Sequence, residues 1–253
     1  MSEARAATLR SPSPRELAKK ATQPGRKVQI ALDTRDTPTA LSALQQTAGL
    51  VDIIEVGTVL CLSDGMHAVR AIRAAHPDHV ILADIRIAEA GGLLSRMAYD
   101  AGADWVTVVS GAAPSTFEVV AGVAAGTGGD VQVELSDGWT WDLVKSCRDL
   151  GIAHFILHRS RDAEAQGSLT WPASDLEAIS RIHGLGGRVS VTGGMTVSQV
   201  KDFSELPVEI FIAGRALYAA DDPVASAEGL RGAVRGLPAL QASGSPAAGT
   251  GPQ

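Results

Sequence analysis

The segment Asp84-Ile85-Arg86-Ile87-Ala88-Glu89 brings an acid, a cation and a second acid together directly after the apolar run Val80-Ile81-Leu82. Side chains alternate faces along a strand, so Asp84 and Arg86 are expected to share a face. Glu89 falls about one helical turn further on, where a following helix would begin. Two carboxylates and a guanidinium at the end of a buried strand suit a divalent cation and the stabilisation of a carbanion. The plainer alternative is a surface salt-bridge cluster.

More polar residues follow other apolar runs. Asp33, Glu55, Glu134, His158 and Thr192 each stand at or just after the end of a strand-like stretch. Those stretches are Val28–Leu32, Asp52–Val56, Val80–Ala83, Trp105–Val109, Val131–Leu135, His154–Leu157, Arg188–Val191 and Glu209–Ile212, mostly about 20 to 30 residues apart. Segments between them carry helical periodicity, as in Met66-Val69-Arg70-Ile72-Arg73 and Leu143-Val144-Cys147-Leu150. Eight strands alternating with helices predict a (β/α)8 TIM barrel over residues 26–237. A doubly wound open sheet is the rival, weakened because no GxGxxG follows the first strand. In a barrel, functional residues sit where strands end.

Two glycine-bearing turns follow the last two strands, Thr192-Gly193-Gly194 and Ala213-Gly214-Arg215. Glycine lets backbone N–H groups approach an anion closely, and Arg215 adds a charged fork. Gly193, Gly194, Gly214 and Arg215 are therefore expected to hold a phosphate, and the substrate to be a small phosphorylated molecule. Glu55 and Asp84 end neighbouring strands, and two carboxylates suit Mg2+, which keeps several waters. Without a metal, Glu55 would pair with Arg86 instead. His158 can exchange protons near neutral pH, and Arg161 could touch substrate or orient an acid.

Composition narrows the classes. The 253 residues are 45% hydrophobic with a net charge of −6, and only 4% are aromatic. No long basic run is present, so nucleic acid is not the expected partner. The apolar runs are too short to span a bilayer, and no leader-like apolar segment opens the chain, so a cytoplasmic location is expected. Cys61 and Cys147 lack any CxxC spacing and are read as reduced structural cysteines. Residues 1–25 read as a flexible arm, with a short helix near 15–21, and residues 238–253 as a disordered tail.

Together these residues resemble the 3-keto-L-gulonate 6-phosphate decarboxylase and 3-hexulose 6-phosphate synthase group of the orotidine 5'-phosphate decarboxylase suprafamily. The resemblance spans about residues 27–235. It is densest in Ala31-Leu32-Asp33, Asp52 to Thr58, Ala101 to Thr107, His158-Arg159-Ser160-Arg161-Asp162, Val191 to Gly194 and Phe211 to Ala216. It implies a homodimeric barrel with active sites at the interface, and a magnesium-stabilised enediolate formed from a phosphorylated ketose. By the same resemblance Glu55 and Asp84 are magnesium ligands, and Asp33, His158, Arg161 and Thr192 handle substrate or protons. The group's motif is Asp-x-Lys-x-x-Asp, whereas here it is Asp84-x-Arg86-x-x-Glu89. The last acid of that motif reaches the neighbouring subunit's site, so Glu89 is expected to do so too.

The altered motif shifts the expected reaction. Arginine is a poor proton donor, although it can hold an enediolate. Glutamate reaches about 1 Å further than aspartate, enough to matter in catalysis. The favoured expectation is therefore C3 epimerisation of a ketohexose 6-phosphate, which needs two proton carriers on opposite faces, Glu89 with His158 or Asp33. Arg86 then stabilises the intermediate, while Glu134, Arg161 and Thr192 bind substrate. The group's own decarboxylase or synthase reaction is the alternative, and a binding protein without catalysis the third.

Overall fold

The strands pair in chain order and the last returns to the first, so the sheet closes on itself. The computed structural model describes residues 25–159 and 170–240. The strands are β1 Lys27–Leu32, β2 Ile53–Val56, β3 Val80–Ile87, β4 Trp105–Val109, β5 Asp130–Leu135, β6 His154–His158, β7 Arg188–Thr192 and β8 Val208–Ala213. All neighbouring pairs are parallel, including β8 with β1. The chain is a (β/α)8 barrel. Most of the expected arm and tail lie outside the described residues, as does Arg161.

The main helices outside the barrel are α1 Thr37–Thr47, α2 Thr58–Asp64, α3 Met66–Ala75, α4 Gly91–Asp100, α5 Pro114–Thr127, α6 Trp141–Asp149, α7 Ala173–Gly184, α8 Val197–Val200, α9 Arg215–Tyr218 and α10 Pro223–Arg235. Their starts are written locally. Asp36 and Asp222 accept from backbone N–H groups of the first turns of α1 and α10, each ahead of a proline that fits an early helical position. Thr140 caps α6 in the same way. None of the described helices is long and apolar enough to cross a membrane.

Two apolar regions result. The larger lies between strands and helices and takes the outward-facing strand residues such as Ile30, Ile54, Ile81, Val106 and Phe211. The smaller fills the bore with Ala31, Ile53, Val80, Leu82, Trp105, Ile156, Ile210 and Ile212. Inward positions come from alternate residues, in layers drawn from alternate strands. The register places Gln29, Leu82, Gln132 and Ser190 at one level of the bore, all fully buried. Inward residues nearer the strand ends are mostly polar, Glu55, Asp84, Glu134 and Thr192 among them. They open into the mouth.

β3 departs from the expected strand. It runs on to Ile87 rather than ending at Ala83, and its pairing with β4 shifts register between Ala83 and Ile87. Arg86 lies inside that irregularity with φ +46°, a left-handed conformation uncommon for a residue with a side chain. Asp84 and Arg86 do reach the same cavity. Simple strand alternation is not what brings them there, because the backbone turns between them.

Candidate functional site

A cavity of about 800 Å3 opens at the C-terminal mouth of the barrel. Asp33, Glu55, Asp84, Arg86, Glu134, His158 and Thr192 line it, together with Gly193, Gly194, Gly214 and Arg215. The described residues expected to do chemistry thus converge there, with one exception. Glu89 is exposed in the turn before α4 and does not line this cavity. Arg161 lies outside the described residues.

Each acid is held differently. Asp33 accepts from Val59 N–H at 3.2 Å, at the start of α2. Gly57 makes that approach possible, because a Cβ there would stand 2.5 Å from Asp33 Oδ1 and 2.8 Å from Leu32 O. Glu55 is 8% exposed and accepts from Gln29 Nε2 at 2.6 Å. Burial, reinforced by the Asp84 charge, pushes the Glu55 carboxyl well above the usual range, against the opposing pull of Gln29. Burial also raises Asp84, although the Thr58 and Thr107 hydroxyls, one on each oxygen, oppose it. Two carboxylates pushed this way are poised to accept a cation.

Glu134 behaves oppositely. Burial alone would raise it, but the hydrogen bond and charge of His158, together with Arg86, hold it below the usual carboxylate range. Its Oε1 receives the Arg86 guanidinium and lies 2.9 Å from His158 Nδ1. Arg86 therefore pairs with Glu134, not with Glu55 as expected for a site without metal. Binding Nδ1 to a carboxylate leaves Nε2 as the His158 nitrogen available to a ligand. Arg86 N–H also donates to Thr107 Oγ1 at 2.9 Å, and Thr107 Oγ1 donates to Asp84 Oδ1 at 2.7 Å. One chain of bonds thus joins Asp84, Thr107, Arg86, Glu134 and His158.

Sequence reasoning missed Thr58, Thr107 and Gln29. Thr107 had a signal, since it shares the inward face of β4 with Trp105. Gln29 had the same signal on β1, two residues before Ala31. Thr58 opens a helix after Gly57, and nothing in the local sequence marks it.

The family model described as "Orotidine 5'-phosphate decarboxylase / HUMPS family" matches residues 26–230. The chain belongs to that family. The 3-keto-L-gulonate-6-phosphate decarboxylase of Escherichia coli is 44% identical over 200 residues, covering 79% of this chain and 92% of that protein. The KGPDC of Streptococcus mutans in complex with D-R5P superposes with a TM-score of 0.80 at 34% identity, covering 84% of this chain and 98% of the other. A 3-hexulose-6-phosphate synthase of Salmonella typhimurium gives 0.76 at 30% identity, covering 82% and 98%.

These relatives overturn the favoured expectation of a sugar-phosphate epimerase, and with it the assignment to the isomerases. They are lyases, a decarboxylase and a synthase, so the alternative reading fits. Epimerisation at C3 had called on Glu89 as one of two proton carriers. Glu89 lies outside this chain's own cavity, as an acid expected to serve a neighbouring subunit would, so its place does not separate the two reactions. Arg86 is tied to Glu134 as a fixed cation, so the change from lysine keeps a positive charge at the mouth without adding a proton carrier.

Proposed function

We propose that the protein decarboxylates a 3-keto sugar-acid phosphate, 3-keto-L-gulonate 6-phosphate in the first instance. The 44% identity to a decarboxylase of that name carries the reading, against 30% and 33% for two solved 3-hexulose-6-phosphate synthases. The glycine turns after β7 and β8, with Arg215, seat the phosphate. That places the other end of the sugar among Asp33, Glu55, Asp84, Arg86 and His158. Loss of CO2 from a 3-keto acid leaves an electron pair on the neighbouring carbon, delocalised onto the ketone oxygen as an enediolate. Arg86 stands fixed by Glu134 to face that negative charge. His158 returns a proton to carbon from Nε2, its ring oriented by Glu134. Asp33, held against α2, and Thr192 orient hydroxyls of the sugar, and Glu134 supports both partners.

Glu55 and Asp84 would hold a magnesium ion. Among the described residues no cluster of three or more His, Cys, Asp or Glu side chains is placed to hold a metal. Two oxygen ligands whose own environment disfavours their negative charge still suit magnesium, which takes one or two carboxylates and keeps waters. When bound, the ion would supply positive charge against the negative charge that develops on the sugar.

The test is direct. Incubating the protein with magnesium and 3-keto-L-gulonate 6-phosphate should release one CO2 per substrate and leave a ketopentose 5-phosphate, both visible by 13C NMR. If that substrate survives while formaldehyde and ribulose 5-phosphate condense, the synthase reaction replaces the decarboxylation.

We also propose a homodimer. Val59 and Leu62 on α2, Leu93 and Met97 on α4 and Val119 on α5 are large apolar side chains left exposed, Leu62 at 82% and Leu93 at 64%. They fall on helices following three consecutive strands, the sector from which Glu89 also projects. A second copy covering it would bury the patch and could receive Glu89 in its own cavity. Leu93→Asp should shift the mass measured by light scattering from dimer to monomer and lower kcat/KM by more than about tenfold. A monomeric wild type would defeat this reading.

A further inference from the structure

The turn that seats the phosphate is gripped from behind by a residue with no assigned role. Arg159 follows β6 and is only 6% exposed. Its backbone N–H donates to Thr192 O at 3.1 Å, and its guanidinium donates to Gly193 O. The guanidinium carbon lies 5.6 Å from the centroid of the Trp171 ring. Trp171 stands edge-on to Phe203, and Phe203 to Phe211, at centroid separations of 5.3 and 5.9 Å. Both phenylalanines are fully buried. The cation therefore rests on an aromatic ladder anchored in the core, a setting that suits a planar guanidinium better than an ammonium.

Gly193 fits tightly against this support. Its φ is +106°, and a Cβ would lie 2.4 Å from Arg159 O and 2.7 Å from Arg159 Cβ. None of the described peptide bonds is cis, and in a planar trans peptide the carbonyl and the following N–H point opposite ways. With Gly193 C=O turned to Arg159, the N–H of Gly194 turns the other way. Gly194 lines the cavity.

We propose that Arg159 is a positioning residue for the phosphate: by holding Gly193 C=O it fixes the turn with the Gly194 N–H presented to the anion. The inference rests on the phosphate reading of the Thr192–Gly194 turn. Arg159 need not touch substrate. It selects one peptide orientation in a glycine pair that could otherwise adopt several, and it sets a buried positive charge behind the turn.

The measurement is calorimetric titration with inorganic phosphate, alongside KM and kcat for the sugar phosphate. Arg159→Met should weaken phosphate binding and raise KM by about tenfold, with kcat changed less than about threefold. Adding guanidinium ion to Arg159→Ala should restore part of the affinity. If Arg159→Met does not fold, Arg159→Lys carries the test: it keeps the charge, lacks the fork, and should bind phosphate more weakly than wild type. Unchanged phosphate affinity in a folded Arg159 variant, with affinity lost in Arg215→Met, overturns the proposal and leaves the phosphate site standing. Equal losses in kcat and 1/KM without guanidinium rescue reduce Arg159 to a structural support and also overturn it. A wild type that binds no phosphate removes the phosphate reading and this proposal together.

Discussion

Asp84→Asn should lower kcat/KM for the keto-sugar phosphate by about a hundredfold to a thousandfold, the range for losing one preorganised electrostatic contact, while Tm stays within a few degrees. Activity and stability separate here because burial works against the Asp84 charge. The folded state gains little from that negative charge in the absence of a cation, so a neutral amide of the same shape costs it little. The two groups that bond to it are hydroxyls, of Thr58 and Thr107, and a hydroxyl can turn to donate to the amide oxygen or accept from its nitrogen. A metal ion has no such tolerance, since the amide brings no charge. Magnesium titrated into the variant should therefore give a much weaker calorimetric signal than with wild type. A variant that keeps wild-type turnover would remove Asp84 from the site's chemistry. A variant that unfolds would show that Asp84 holds the barrel mouth together rather than being strained by it.

Much of this arrangement can be read along the chain, because a barrel converts a one-dimensional pattern into a place. An acid or histidine at the end of an apolar run becomes a residue at the mouth, and Asp33, Glu55, Asp84, Glu134, His158 and Thr192 all line one cavity. Strand ends fall close to their sequence positions because apolar runs and turn residues punctuate them. What escapes is set by register and by distance across the barrel. Arg86 and Glu134 are 48 positions apart and pair only after β3, β4 and β5 align. The left-handed turn at Arg86 has no glycine or asparagine to announce it, so a uniform alternation placed the right residues for an incomplete reason. Glu89 shows a third limit. Its destination depends on a surface outside its own barrel, and weighing the reaction on it favoured an epimerase that the relatives exclude.

At the opposite end of the barrel, removing one buried charge should cost more stability than Asp84→Asn does at the mouth. Glu209→Leu is expected to lower the unfolding free energy by about 3–5 kcal/mol, the range for breaking a buried ion pair by removing one partner. The pairing of β7 with β8 shifts between Val189 and Ser190, whose partners are Val208 and Ile210. Glu209 is the residue left over, and this irregularity accompanies its carboxylate's place in a buried charge cluster. There it receives Lys27 Nζ at 3.0 Å and Arg188 Nε at 2.7 Å. Arg188 also reaches His154 Nε2 at 2.6 Å, and His154 lies 3.1 Å from Asp130. Leucine would put an apolar group in place of the carboxylate that Lys27 and Arg188 both contact. The pH dependence carries its own sign. Burial raises Glu209, but Arg188 and Lys27 outweigh it and hold the carboxyl below its ordinary value. A lowered carboxyl stabilises the folded state above its unfolded-state pKa of about 4.3 and loses that contribution as pH falls through the folded value. The gap between wild type and Glu209→Leu in urea unfolding should thus be full at pH 7 and narrow below about pH 4, as protonation of Glu209 weakens its pairing with the same two cations in wild type. A gap that stays constant across that range would mean that packing around residue 209, rather than its charge, sets the loss.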